Sequence, residues 1–201
     1  MSGQLRRHNA KDPVDKHTHL IFSFTQHGQL RCVDPRAFGE VFVVSPDAVQ
    51  TEAPELSSLG FDPLEDLIPW TEFGRMLHAR SVRLKAFLTD QSIVAGIGNI
   101  YADEILFEAG LRYDRPSDSL GTQEIRRLYR AMVEVLHEAV KYRGSTLPDA
   151  TYVDLYGRPG AYQEHHRVYG KAGQACLRCR TTISRVRFQG RSTFLCEQCQ
   201  M

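Results

Sequence analysis

This 201-residue chain has no apolar run near the ~20 residues that span a bilayer, and its N-terminus lacks the apolar core of a secretion signal. No membrane anchor and no export are therefore expected. Internal repeats and low-complexity tracts are absent, which excludes a repeat array. Lysine is scarce, 5 against 20 arginines. The planar fork of arginine suits bidentate phosphate contacts, although a GC-rich genome produces the same bias. Cysteine is sparse too. Only Cys32 lies outside the C-terminal segment, in an alternating stretch where it reads as a small buried hydrophobe. So few thiols without an export signal argue against a disulfide framework and for a reducing, cytoplasmic setting. The length is enough for one good core or two modest ones.

What the chain does have is Cys176-x2-Cys179-x16-Cys196-x2-Cys199. Each Cys-x-x-Cys turn aims two thiolates at one ion, and two turns close a tetrahedron with no open position. Such a site is structural, with one Zn2+ as the expected ion and iron as the alternative for the same soft ligands. Around it the charge is one-sided. From Gly157 onward there are 8 Lys/Arg against 2 Glu, or +6, so the first 156 residues carry −5 to leave the net +1. A basic C-terminal end of this kind is the footprint of a polyanionic partner.

Residues 18–44 read as strands at His19–Phe24, Gln29–Val33 and Glu40–Val44, with turn signals at Gln26–Gly28 and Asp34-Pro35. Residues 45–72, rich in Pro, Ser and acidic residues, read as a long irregular connection. Beyond it the period becomes helical. Helices are expected over Ser81–Asp90, with Val82, Leu84, Phe87 and Leu88 buried, over Asn99–Ala109 ending at Gly110, and over Thr122–Arg143 ending at Gly144. The last carries an apolar stripe of Ile125, Leu128, Tyr129, Met132, Val133, Leu136 and Val140, which is core.

Between the first two helices lies Ile93-Val-Ala-Gly-Ile-Gly-Asn99. Two glycines before a helix start free backbone N–H groups to face an anion, and the helix dipole favours it. A plain tight turn is the alternative. Asn99 either caps the helix or reaches the phosphate itself.

The string Asp90-Gln-Ser-Ile-Val-Ala-Gly-Ile-Gly-Asn-Ile-Tyr-Ala-Asp-Glu104 resembles the helix–two-turn–helix signature of the Fpg/Nei (formamidopyrimidine/endonuclease VIII) DNA glycosylases. Gly190-Arg-Ser-Thr-Phe-Leu-Cys-Glu-Gln-Cys199 resembles that family's zinc finger, and Val168–Cys176 leads into it in the family manner. Asp34-Pro-Arg-Ala-Phe-Gly39 resembles its Asp-Pro-Arg-Arg-Phe-Gly, with Ala37 in place of the second arginine. The resemblance implies an α+β fold: a partial N-terminal β-sandwich, a helix–two-turn–helix domain and a β-hairpin zinc finger. The expected limits are 1–46, a linker 47–72, 73–165 and 166–201.

The resemblance further implies a role in base-excision repair, on double-stranded DNA with a damaged base or an abasic site, for a monomer associated with the nucleoid. Cys176, Cys179, Cys196 and Cys199 match the zinc ligands. Asn99 and Arg191 match the pair that grips the phosphates flanking the lesion, Lys85 a basic residue near the lesion phosphate, and Tyr101 a neighbouring contact. Met1, Arg36 and Phe38 fall on the residues that fill the gap left by an everted base. Residues 153–163 match a loop that covers that base in some members. Without the resemblance, Phe38 reads as core, Lys85 as a solvated helix face and Arg191 as an ordinary surface charge.

One departure bears on the enzymology. Family members start with Pro-Glu, the proline amine attacking C1′ of the damaged nucleotide and the glutamate serving as acid/base. This chain opens at the Met-Ser-Gly loop, and no catalytic residue is assigned by matching. These residues are therefore expected to bind without chemistry, either as the DNA-binding part of a glycosylase/abasic-site lyase or as a non-catalytic damaged-DNA-binding protein. A zinc-ribbon interaction protein is the third possibility.

Overall fold

The computed structural model of the chain describes residues 3–66, 68–148 and 152–201. Its contacts divide it into two compact units, residues 1–43 with 139–165 and residues 44–138 with 166–201. The segment after the long helix thus packs with the strands, and the zinc module with the helices.

The first unit is built on a three-stranded antiparallel sheet, β1 (Gln4–His8), β2 (Thr18–Ser23) and β3 (Gln29–Val33), in the order β1-β3-β2. β2 and β3 form the expected hairpin, and β3 pairs with β1 from Gln4↔Val33 to His8↔Gln29. β1 was not expected, because Gln-Leu-Arg-Arg-His lacks the β-branched and aromatic residues that mark strands. Glu40–Val44 carries the right alternation but is not a strand. A strand needs a ladder partner, and among the described residues none pairs with this stretch; Val43 is 97% exposed.

Alternation along β3 also runs opposite to expectation. Arg31 is wholly buried and Cys32 only half-buried. The Arg31 guanidinium donates to the carbonyls of Pro13 at 2.5 Å and Asp12 at 2.9 Å, and to Gln29 Oε1 at 3.1 Å, stapling the β1–β2 connection to the sheet. The same unit holds the segment after the long helix. There Leu155 accepts the N–H of Arg7 at 2.9 Å, and the guanidiniums of Arg7 and Arg158 lie 5.6 and 4.9 Å from the centroid of the Tyr156 ring.

The second unit is helical: short α1 (Val49–Glu52) and α2 (Pro54–Ser57), then α3 (Trp70–His78), α4 (Leu84–Thr89), α5 (Asn99–Ala109) and α6 (Thr122–Lys141), whose last turn enters the first unit. The stretch expected to be irregular therefore contains two single-turn helices and the start of α3. α3 buries Phe73 and Leu77, four apart on one face, and Phe73 meets the Phe87 ring edge-on at 5.8 Å. α5 has the expected bounds and ends at left-handed Gly110 (φ 67°). α6 keeps most of its expected stripe, but Val140 is 62% exposed and Ala131, Val135 and Ala139 are buried instead. Gly60 has no room for a side chain. A Cβ there would lie 2.2 Å from the backbone of Ile93, where Gly60 N donates to Gln91 O at 2.8 Å.

The chain closes with a hairpin, β4 (Ser184–Phe188) and β5 (Arg191–Leu195), in register from Ser184↔Leu195 to Phe188↔Arg191. It packs with Val168, Ile183 and the cysteines on Phe107 of α5. Gln200, 1% exposed, accepts the N–H of Cys196 and donates to the carbonyl of Leu111, each at 2.9 Å.

Candidate metal centre and nucleic-acid interface

The two Cys-x-x-Cys turns meet as their spacing requires. The four sulfurs lie within 4.8 Å of one another, with Cys179–Cys196 at 3.4 Å and Cys176–Cys199 at 3.9 Å. A tetrahedral ion with Zn–S bonds of ~2.3 Å needs sulfurs roughly 3.8 Å apart, so the cluster fits one zinc closed on all four sides. Burial, and then the neighbouring sulfurs, push the Cys199 thiol far above the ordinary range. A bound Zn2+ would supply the positive charge that lets four thiolates share this volume.

Two acidic residues on α5 fix this module to the helices. Glu104 accepts the backbone N–H groups of Arg167 at 2.8 Å, Val168 at 3.0 Å and Tyr169 at 2.8 Å, where the chain enters the finger. Burial raises its pKa, and the three N–H donors oppose that rise. Asp103 Oδ2 accepts the N–H of Phe194 at 2.9 Å. At the far end of the helix, the Arg178 guanidinium donates to the Phe107 carbonyl at 2.7 Å, a cation at a helix C-terminus, and lies 4.4 Å over the Phe107 ring. Asp103 and Glu104 carry no role in the motif resemblance, although two adjacent acids among Ala102, Ile105 and Leu106 are a readable sign of internal partners.

The turn before α5 is braced by its own side chains. Asp90 Oδ1 accepts the N–H of Ser92 at 2.9 Å and its hydroxyl at 2.6 Å, which holds the Asp90 carboxyl below its usual range. Gln91 accepts from Gly96 N at 2.9 Å and donates to Ile97 O at 3.0 Å. Gly96 takes φ +85°, open to a glycine at no steric cost.

Asn99 sits at the first position of α5, with Gly98 as the N-cap and no side-chain cap. Its Nδ2 donates to the carbonyl of Ser192 on β5 at 3.0 Å, while Oδ1 is buried without a protein partner. Asn99 is therefore joined to the strand that bears Arg191, an exposed residue. Arg185, Arg187 and Arg191 line a groove of about 300 Å³ on the hairpin, with Val186, Gly190 and Ser192. Tyr101 is half-buried, two residues further along the same helix.

Lys85 does not lie on a solvated face. It is 3% exposed, and its ammonium donates to Asp103 Oδ1 at 2.6 Å and Thr193 Oγ1 at 2.7 Å. Burial lowers the Lys85 pKa and raises that of Asp103 to about 6, so their mutual attraction does not fully offset desolvation.

The remaining expected residues belong to the first unit. Phe38 is 77% exposed rather than core, with the Arg36 guanidinium 5.3 Å from its ring centroid. The Asp34 carboxylate holds this loop by accepting the N–H groups of Arg36 at 3.1 Å and of Phe38 and Gly39 at 2.9 Å. Met1 lies outside the described residues.

A two-turn connection between helices, fixed to a four-cysteine hairpin, defines a zinc-finger protein of the helix–two-turn–helix class. Family models match in three stretches: the formamidopyrimidine-DNA glycosylase N-terminal domain over residues 1–41, its H2TH domain over 59–151, and the zinc finger found in FPG and IleRS over 173–200. The formamidopyrimidine-DNA glycosylase of Listeria monocytogenes is 40% identical over 200 residues, covering 100% of this chain and 72% of that protein. That of Desulfitobacterium hafniense is 39% identical over 201 residues, covering 100% and 72%. The crystal structure of MutM (Fpg) from Thermus thermophilus superposes with a TM-score of 0.89 at 42% identity, over 100% of this chain and 73% of that one. Lactococcus lactis Fpg in complex with abasic-site DNA does so with a TM-score of 0.89 at 32% identity, over 100% and 72%. The chain belongs to the formamidopyrimidine-DNA glycosylase family.

Proposed function

We propose that this chain grips damaged duplex DNA as the binding part of a base-excision-repair glycosylase/abasic-site lyase acting on oxidised bases. The observation that carries the reading is the Asn99–Ser192 bond. It sets an amide with an unused acceptor, at a helix N-terminus, beside a strand bearing an exposed arginine. An amide and a guanidinium presented together suit two successive phosphates of one strand. Arg185 and Arg187 extend the positive surface. Tyr101 is a further contact on the same helix.

Arg36 and Phe38 are proposed to occupy the space left by an everted base. An exposed ring on a loop fixed by Asp34 suits a wedge between base steps. Met1 shares this role by its match alone. The protein acts as a monomer at the nucleoid, and no helix among the described residues is long and apolar enough to cross a membrane.

None of the 201 residues matches the family's N-terminal proline or glutamate, so the chain itself is proposed to bind without cleaving. Fluorescence anisotropy on an abasic duplex, with borohydride trapping in parallel, tests both halves. Salt-sensitive binding without a covalent adduct is expected. An adduct, for example through Lys11 or Lys16, overturns the second half, and absence of nucleic-acid binding overturns the first.

A further inference from the structure

Lys85 matches a residue placed near the lesion phosphate, yet its surroundings are those of an internal strut. The ammonium is 3% exposed, and two of its three donors are used on Asp103 and Thr193. Thr193 is itself 1% exposed. Three consecutive residues of β5 are held from the helices: Ser192 by Asn99, Thr193 by Lys85, and Phe194 by Asp103, which also holds Lys85. Side chains two apart share a face of a strand, so Arg191 and Thr193 rise on the same side of β5. Anchoring Thr193 therefore fixes the base from which Arg191 projects.

We infer that Lys85 is a positioning residue, which together with Asp103 and Thr193 latches β5 to α4 and α5 and so sets the spacing between Asn99 and Arg191. The inference rests on the DNA-binding reading and deepens it. A direct phosphate contact would require the ammonium to leave a buried carboxylate, and that exchange is unfavourable when the carboxylate stays behind unpaired. The two roles predict opposite responses. If Lys85 touches phosphate, weakening its internal partners frees a cation for the DNA and tightens binding. If it is a latch, the same change loosens β5 and weakens binding.

The test uses the zinc-loaded protein and an abasic-site duplex, read by anisotropy, with zinc content and circular dichroism checked for every variant. Thr193→Val keeps the shape and removes the oxygen that accepts from Lys85. It is expected to weaken binding at least about fivefold, the low end of typical coupling between sites. Asp103→Asn should weaken it in the same direction, because one amide oxygen cannot accept from both Lys85 and Phe194. In a double-mutant cycle, Arg191→Ala with Thr193→Val should bind no more weakly than Arg191→Ala alone, since the latch acts through that arginine. A general loss of structure would instead add in full. Unchanged or tighter binding by Thr193→Val, or full additivity with Arg191→Ala, overturns the latch. Failure of the unmodified protein to bind the duplex overturns the DNA-binding reading and the latch with it.

Discussion

The carboxylate of Glu104 accepts the backbone N–H of Val168 at 3.0 Å across 64 residues of sequence, where the chain passes into the finger. It accepts from Arg167 and Tyr169 as well, so one side chain satisfies three buried or half-buried donors. Glu104→Ala should destabilise the second unit by about 3 kcal/mol or more, as each stranded donor costs roughly 1–3 kcal/mol. Thermal unfolding followed by circular dichroism measures this, and a melting temperature within a degree of the parent would contradict it.

Zinc removal should unfold the finger and abolish DNA binding. The segment buries only a small apolar set, Val168, Ile183, Phe188, Phe194 and Leu195 with its cysteines, so the ion contributes much of its folding energy. Unchanged DNA affinity after verified chelation would sink this expectation. Cys179→Ser should reproduce the chelated state.

Arg191→Ala and Asn99→Ala should both weaken binding across DNA sequences but differ in salt dependence. Loss of the guanidinium lowers the slope of log affinity against log salt by about 1, whereas loss of a neutral amide leaves it unchanged. Equal slopes for the two variants would show that Arg191 does not neutralise a phosphate.

Asp103 should take up its proton at about pH 6, because burial outweighs the attraction of Lys85. The folded value lies above the ordinary 3.8, so the fold favours the protonated form. The stability this group contributes is fully present below that ordinary value and is lost as pH rises through the folded one. A carboxyl titration followed by NMR reads the midpoint directly. A midpoint at or below 4 would mean that the pair is better solvated than its burial implies.

Phe38→Ala should change stability by no more than about 0.5 kcal/mol, as expected for an exposed side chain. The effect should appear only on DNA. A 2-aminopurine placed opposite the abasic site should lose most of its binding-induced fluorescence change. If the variant perturbs the probe as the parent does, the wedge lies elsewhere.

The legible features were those written locally. Four cysteines at fixed spacings announce their ion, α5 ends where Gly110 stops it, and α6 carries most of its apolar stripe. What escaped reading depends on partners far along the chain. Lys85 is buried because Asp103 and Thr193, 18 and 108 residues away, supply its acceptors. Arg31 is buried because three carbonyls of the β1–β2 connection turn toward it, and nothing in a period-2 pattern signals that. Glu40–Val44 fails in the opposite sense, having the alternation without a ladder. α3 was hidden by the composition of the stretch around it, although Phe73 and Leu77 stand four apart.

Gln200 gives the metal module a vulnerability that its ligand set does not reveal. A stop codon at position 200 would spare every thiol, and any inventory of metal-binding residues would score the product as intact. It would nonetheless leave the amide of Cys196 and the carbonyl of Leu111 without their shared partner. In this protein, damage to the finger is therefore to be sought beyond its last ligand as well as among the four.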